Sequence, residues 1–395
     1  MSGFMSGRVF RRVFVAVGAV ALAGAAVVAL LVTGAVPEAW RPILVRHLRP
    51  SVDSVQARAN VVGASLAGLD LRSHASLIPT LRFNLNTRWP PAERMPPGVD
   101  PGTLLTNAMD PGLRVRELHR QGITGAGVGV AIIDFRIFPD HPEFRGRLAA
   151  LQDLSGQTQG SMHGPAVASL LVGARCGTAP GASLYYVALP DPGDGVESFI
   201  RALDWLLATN RHLPAPRRIR VVSISASPDE TPPEAEAWAA ARDRAEKEGL
   251  MVLDVSRGRP FVGPCELDPV APDHPARARP VPARDRPGFF RDHLLVPVAP
   301  RTTAEQYYPG HFGYQYCGTG AETFLYHGVS WAVPYCAGVL AMGWQIRPDL
   351  SPDQMRALLF SSAHVLPTGE RIIDPPAFIA RVRESDASPA PPESR

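Results

Sequence analysis

Short apolar runs alternate with longer amphipathic stretches through the middle of this chain. Apolar runs of strand length stand at 127–133, 183–189, 220–225, 250–255 and 294–298. Helical patterns occupy 113–121, 164–172, 196–209, 233–248, 331–345 and 352–362. Because such alternation is typical of parallel strands joined by crossover helices, the sequence predicts an α/β fold, a mostly parallel sheet with helices on both faces.

An uncharged stretch at 13–36 follows Arg8, Arg11 and Arg12. As a helix it would be about 36 Å long, enough to cross a bilayer. It exceeds the apolar core of a cleavable signal peptide, which has about 7 to 15 residues. The arginines before it predict a cytoplasmic N-terminus and an extracytoplasmic remainder. The alternative is a long signal sequence cut after 33–35, which would release a secreted protein.

The pattern divides the chain into five segments. We expect a basic cytoplasmic N-terminus at 1–12, a transmembrane anchor or signal segment at 13–36, a linker or short pro-segment at 37–77, the main domain at 78–383, and a disordered tail at 384–395. Within the main domain, 78–90 alternates apolar and polar residues and is predicted to be a strand.

Composition excludes some classes of function. The 40 basic and 37 acidic residues leave a net charge of +3, so no large basic surface indicates nucleic-acid binding. The cysteines follow the predicted span, on the side where disulfides persist, and their spacing predicts no zinc site. Three pairings are open, one of them Cys317 with Cys336. The cysteines stand at 176, 265, 317 and 336.

Three segments carry the side chains that acyl transfer needs. Asp134 ends an apolar strand, His163 opens a helix of small residues, and Ser330 stands among small residues with Pro334 four positions later. A serine at a helix N-terminus lies beside unpaired N–H groups that can stabilise an oxyanion. Singly, each residue would also fit a helix cap, a turn or a buried site. Together they predict three side chains that converge at one edge of the sheet.

The segments GVAIIDFRIFPDHPEF, HGPAVASLLVG, CGTAPGASLYYVAL and HGVSWAVPYCAGVLA together resemble the subtilisin-like serine protease (subtilase) family. The order Asp, His, Ser along the chain is also that of subtilisin. The resemblance implies a subtilisin-like fold and a catalytic triad. Ser330 would attack the peptide carbonyl, His163 would carry the proton, and Asp134 would orient the histidine.

The resemblance extends to substrate and oxyanion residues. The strand at 221–227 resembles the one that pairs with extended substrate, which makes Ser225, Ala226 and Ser227 candidate substrate-binding residues. Subtilases usually place an oxyanion asparagine in an AAAGNxG context, whereas 252–258 contains none. Ser256 takes that position, and a protonated Asp254 is the other candidate. Losing one oxyanion donor typically costs about 3 to 4 kcal/mol in the transition state.

Three functions fit these features. The first is a membrane-anchored, extracytoplasmic serine endopeptidase that acts through an acyl-enzyme. The second, which the absent asparagine motivates, is a catalytically silent subtilase-like module that binds a peptide or protein partner. The third, a serine esterase, fits the nucleophile but not the order of the triad. We expect a monomer with protein or peptide substrates and no required cofactor. Calcium sites are frequent in the family, but no loop here has a convincing carboxylate pattern.

Overall fold

The structure is a computed structural model, and it describes most of the chain after residue 52. The described residues are 53–56, 59–61, 63–78, 81, 83–84, 87–157, 163–190, 195–226, 231–255, 261–268, 271–281, 292–298, 302–308, 311–316 and 328–385. The predicted span at 13–36, together with Ser227, Ser256 and Cys317, lies outside these residues. In the described part of the chain, no helix combines the length and apolarity that crossing a membrane requires.

Helices and strands alternate along the central part of the described chain. The helices are α1 (Pro101–Ala108), α2 (Val115–Arg120), α3 (His163–Val172), α4 (Gly195–Arg211), α5 (Pro232–Lys247), α6 (Gly328–Ile346), α7 (Pro352–Ser361) and α8 (Pro375–Glu384). The strands are β1 (Phe83–Asn84), β2 (Gly129–Phe135), β3 (Leu148–Asp153), β4 (Ser183–Leu189), β5 (Ile219–Ile224), β6 (Met251–Leu253), β7 (Val262–Glu266), β8 (Arg279–Pro280), β9 (Leu294–Pro297), β10 (Thr302–Tyr308), β11 (His311–Tyr316), β12 (His364–Val365) and β13 (Arg371–Ile372).

Five parallel strands form the central sheet, in the order β3-β4-β2-β5-β6. The middle strand β2 is buried from Gly129 to Asp134, which explains its continuous apolar run. In its register with β4, Asp134 stands opposite Ala188, one residue before both strands end. This sheet confirms the predicted α/β class.

Alternate residues of β2 face two different apolar clusters. Val130 and Ile132 belong to the larger cluster, with residues of α3 and α6. Ala131 and Ile133 belong to a second cluster, with residues of α4 and α5. Since successive side chains of a strand point to opposite faces, helices cover both faces of the sheet.

Two smaller sheets accompany the central one. The first has the order β12-β13-β9-β7-β8, and β9 pairs in parallel with both β7 and β13. The second is antiparallel, in the order β1-β11-β10. Among the described residues of the predicted 78–90 strand, Phe83–Asn84 form β1, and Arg88 forms an isolated bridge with Ser65.

Part of the segment predicted as a linker is packed. Leu66 and Leu71 are fully buried, and Val61 is 1% exposed. Val61 and Leu66 share a small apolar cluster with Phe83 and with Cys176 of the main domain. This cluster attaches the described part of the segment to the domain that follows it.

The described cysteines are buried thiols. Cys176, Cys265 and Cys336 are all free. Cys317, the other member of the Cys317–Cys336 pairing that the sequence left open, lies outside the described residues. Burial raises the pKa of each of these thiols, because a thiolate would lose its hydration inside the core. Cys265 and Cys336 both belong to the larger apolar cluster, where they pack as small apolar side chains.

Candidate active site

Asp134 and His163 form a hydrogen-bonded pair at the carboxyl edge of the central sheet. His163 Nδ1 lies 2.8 Å from Asp134 Oδ1. The Asp134 side chain is 5% exposed and that of His163 is 20% exposed. Because a carboxylate can only accept, the Nδ1 atom of His163 carries the proton and Nε2 has the lone pair in the neutral ring. The backbone N–H of Phe135 donates to the same carboxylate oxygen at 2.8 Å.

The backbone at the start of α3 lies close to the backbone at the end of β2, and this approach brings His163 to that strand. Gly164 has no side chain, and a Cβ there would lie 2.3 Å from the Phe135 carbonyl oxygen and 2.5 Å from Tyr186 Oη. Tyr186 is fully buried and donates its hydroxyl hydrogen bond to the Phe135 carbonyl. The glycine after the histidine therefore lets α3 begin directly against the strand that carries Asp134. Tyr186, on β4, is a supporting residue that the sequence analysis missed, because nothing local marks it.

The surroundings of His163 act on its pKa in two directions. Burial acts to lower the pKa, since the imidazolium loses hydration. The charge of Asp134 and its hydrogen bond act to raise it, and together they outweigh the burial, so the pKa of His163 is raised above 6.5. A neutral His163 is therefore a stronger base than an isolated histidine.

Ser330 lies in the first turn of α6 and is 9% exposed. Its hydroxyl donates to the Ser225 carbonyl oxygen at 3.3 Å, and the Ser225 hydroxyl donates to the Ser330 carbonyl oxygen at 2.8 Å. Within the described residues, no hydrogen bond joins Ser330 to His163. The next residue, Trp331, does contact the histidine: the two ring centroids are 5.2 Å apart. The first turn of α6 therefore borders His163, while the Ser330 hydroxyl is directed to Ser225 at the end of β5.

The predicted substrate strand ends beside Ser330. Ser225 and Ala226 follow β5 directly, and both are partly buried. The Ala226 carbonyl accepts a hydrogen bond from the Val255 backbone N–H at 3.2 Å. Ser225 is thus connected to the first turn of α6 and Ala226 to the segment after β6, which puts both at the same sheet edge as Asp134.

Asp254 does not fit the predicted role of a protonated oxyanion donor. Its carboxylate accepts from Trp238 Nε1 at 2.6 Å and from Arg242 Nη1 at 3.1 Å. Both partners belong to α5, and the side chains of Arg242 and Asp254 are 9% and 3% exposed. These contacts direct the Asp254 carboxyl group, as an acceptor, toward two donors of α5, which leaves it poorly placed to donate to an oxyanion. The prediction for Asp254 is therefore corrected to an ion pair that attaches α5 to the end of β6.

Metal-ligating side chains do not cluster in the described part of the chain. It contains no group of three or more His, Cys, Asp or Glu side chains that could hold a metal ion. Glu143, from the HPEF segment, is instead buried against backbone and side chains of the loop after α3. It accepts from the backbone N–H of Arg175 at 2.9 Å and faces the Cys176 thiol at 3.7 Å.

A parallel α/β sheet with an Asp–His pair at its carboxyl edge and a serine in the first turn of a bordering helix has the elements of a serine-hydrolase site. Residues 125–258 match the family described as the subtilase family, Peptidase S8. This match and the similarity to several subtilisins confirm the resemblance to the subtilase family and indicate distant homology to the subtilisins.

Several known proteases align with a similar fraction of this chain. Subtilisin E of Bacillus subtilis (strain 168) is 27% identical over 268 residues, which cover 64% of this chain and 65% of that protein. M-protease of Shouchella clausii (strain KSM-K16) is 30% identical over 260 residues, 62% of this chain and 61% of its own length. The chain thus spans less than two thirds of these relatives. A solved structure of a cold-adapted subtilisin-like serine proteinase is 20% identical, covers 63% of this chain and 89% of its own, and has a TM-score of 0.42.

Proposed function

We propose that this chain is a serine endopeptidase in which Ser330, His163 and Asp134 form the catalytic triad. The observation that carries the proposal is the 2.8 Å contact between His163 Nδ1 and Asp134 Oδ1, in a subtilase-like chain in which the first turn of α6 borders that histidine. Asp134 holds the imidazole in the tautomer whose Nε2 can accept a proton. Ser330 attacks the carbonyl carbon of the peptide as its hydroxyl proton passes to His163, and His163 then protonates the leaving amine.

The serine hydroxyl must turn from Ser225 to His163 before it can react. Its present bond to the Ser225 carbonyl, at 3.3 Å, is longer than the usual O–H···O range of about 2.5 to 3.0 Å. A bond of this length holds the hydroxyl weakly, and catalytic contacts are often loose before substrate binds. Rotation about the Cα–Cβ bond of Ser330 is therefore a small step in the proposed reaction.

The first turn of α6 would stabilise the oxyanion. Backbone N–H groups in the first turn of a helix have no acceptor within the helix, and α6 is 19 residues long, with Ser330 in its first turn. The Ser330 N–H would donate to the negative oxygen that forms during attack. Ser256 would supply the second donor in place of the usual asparagine, and the substrate would extend along Ser225, Ala226 and Ser227. This chemistry requires no cofactor.

The competing candidate is a catalytically silent module that binds a peptide or protein. Two observations favour it: the asparagine is missing from 252–258, and the Ser330 hydroxyl donates to Ser225 instead of His163. A fluorophosphonate probe distinguishes the two, because it reacts only with an activated serine. We expect the full chain, purified in detergent, to be labelled and to cleave a denatured protein substrate, and Ser330→Ala to do neither. A folded wild-type protein that is neither labelled nor active would support the silent module.

We also propose that the segment at 13–36 anchors the chain in a membrane, with the catalytic domain outside the cytoplasm. The support is the uncharged length of the segment and the arginines that precede it. In a bacterial host, the full chain should stay in the membrane fraction after carbonate extraction, and protease added to spheroplasts should digest its domain. A mature protein that appears in the medium without residues 1–35 would instead show a cleaved signal sequence.

A further inference from the structure

The carbonyl group of Ser330 lacks its usual partner within α6. In a regular helix this oxygen would accept from the backbone N–H four residues later. That residue is Pro334, which has no N–H, and it lies inside the helix. Both residues are buried, and an unpaired buried carbonyl group costs free energy. The helix therefore needs a donor from elsewhere at the residue that carries the proposed nucleophile.

Ser225 supplies that donor. Its hydroxyl donates to the Ser330 carbonyl oxygen at 2.8 Å, an ordinary O–H···O distance, although 105 positions separate the two residues in the chain. The Ser330 hydroxyl donates in return to the Ser225 carbonyl oxygen at 3.3 Å. The stronger of the two bonds thus holds the backbone of the nucleophile, and the weaker one holds its side chain.

We propose that Ser225 is a positioning residue for Ser330, and that its hydroxyl replaces the backbone donor that Pro334 removes. This inference rests on the proposed function. With an ordinary residue at 334, the first turn of α6 would satisfy its own carbonyl group and would need no bond to the end of β5. With proline there, the turn is attached to the sheet edge where Asp134 and His163 lie. The distance from the nucleophile to its base is then set by the sheet as well as by the helix.

The coupling between 225 and 334 makes the role testable by rescue. Ser225→Ala should lower kcat by about 10- to 100-fold with little change in KM, because small displacements of reacting groups cost rates of that size. Pro334→Ala alone should stay close to the wild-type kcat, since the Ser225 hydroxyl is still present. The double variant Ser225→Ala/Pro334→Ala should recover about tenfold over Ser225→Ala, because alanine at position 334 restores a backbone N–H for the Ser330 carbonyl.

Ser223, in the strand that leads to Ser225, offers a matched control. It is 1% exposed, and its hydroxyl has no hydrogen-bond partner among the described residues. Ser223→Ala therefore removes a buried hydroxyl from β5 that makes no hydrogen bond to α6, and it should leave kcat unchanged. Ser225→Thr, which keeps a hydroxyl, should retain more activity than Ser225→Ala. Amide hydrogen exchange should show faster exchange in 328–331 for Ser225→Ala only, and slower exchange again in the double variant.

The outcomes separate the inference from the function on which it rests. An active wild-type enzyme whose Ser225→Ala variant stays within about twofold in kcat, or whose double variant recovers nothing, would overturn the positioning role alone. If Ser225→Ala is merely unfolded, its melting transition will show this. The activities of Ser225→Thr and of the double variant then test the positioning role. A folded wild-type protein without turnover would overturn the proposed function, and the positioning role with it.

Discussion

Replacing His163 by alanine is expected to lower kcat for peptide hydrolysis by about 10⁶-fold, the loss typical of removing the base of such a triad. Without the imidazole, nothing takes the Ser330 proton as the tetrahedral intermediate forms, and nothing protonates the leaving amine. The remaining rate would come from oxyanion stabilisation and substrate binding. Single-turnover cleavage of a fluorogenic peptide by the purified full chain measures the effect.

The control for this variant is His212→Ala. His212 is exposed and follows α4, away from the carboxyl edge of the sheet, so kcat should not change. Because His163 is partly buried and bonded to Asp134, the folded state of His163→Ala must be checked by its melting transition. A folded His163→Ala protein with a kcat within about tenfold of the wild type would show that the base lies elsewhere.

Asp134→Asn is expected to lower kcat by about 10⁴-fold at neutral pH. The carboxamide keeps the size of the side chain but can present an N–H to His163 Nδ1, which favours the tautomer with the proton on Nε2. In that tautomer Nε2 can no longer accept the Ser330 proton. Asp153→Asn is the matched control, because Asp153 ends β3, two strands away from β2 in the same sheet, and pairs with Arg136 at 2.7 Å. It should leave kcat nearly unchanged.

The pH dependence provides a second measurement on the same variant. His163 must be neutral to act as a base, so kcat/KM of the wild type should rise with pH through an inflection above 6.5, the direction in which Asp134 moves the pKa. In Asp134→Asn the raising influence is lost while burial remains, so the inflection should move to lower pH. An inflection that stays in place would mean that the titrating group is not His163.

The His163–Asp134 pair also makes the stability of the folded protein depend on pH. Because the folded-state pKa of His163 is raised above the unfolded value, the interaction with Asp134 stabilises the folded protein fully below about pH 6.5. That contribution is lost as pH rises through the folded-state pKa. The protein would therefore lose part of the histidine's contribution to folding over the same pH interval in which the proposed base becomes active.

Local patterns along the sequence predicted most of the strands of the central sheet and the helices that cover it. The predicted strand 183–189 coincides with β4, and the predicted helix 164–172 differs from α3 only in its first residue. Fully buried strands and helices of small residues carry a continuous apolar signal. The strand β3 was missed because its residues are mostly half-buried, so its pattern is neither continuous nor strictly alternating. The hairpin of β10 and β11 was missed as well.

The sequence by itself determined the resemblance to subtilases, the fold class and the three segments of the candidate site, because each depends on residues that are neighbours along the chain. The tertiary structure alone decided which groups the polar side chains contact. It placed Asp134 against His163, Asp254 against Trp238 and Arg242, and the Ser225 hydroxyl against the carbonyl group that Pro334 leaves unpaired. The direction of a side chain at the end of a strand depends on which helix packs beside it, and no local pattern of apolar and polar residues contains that information.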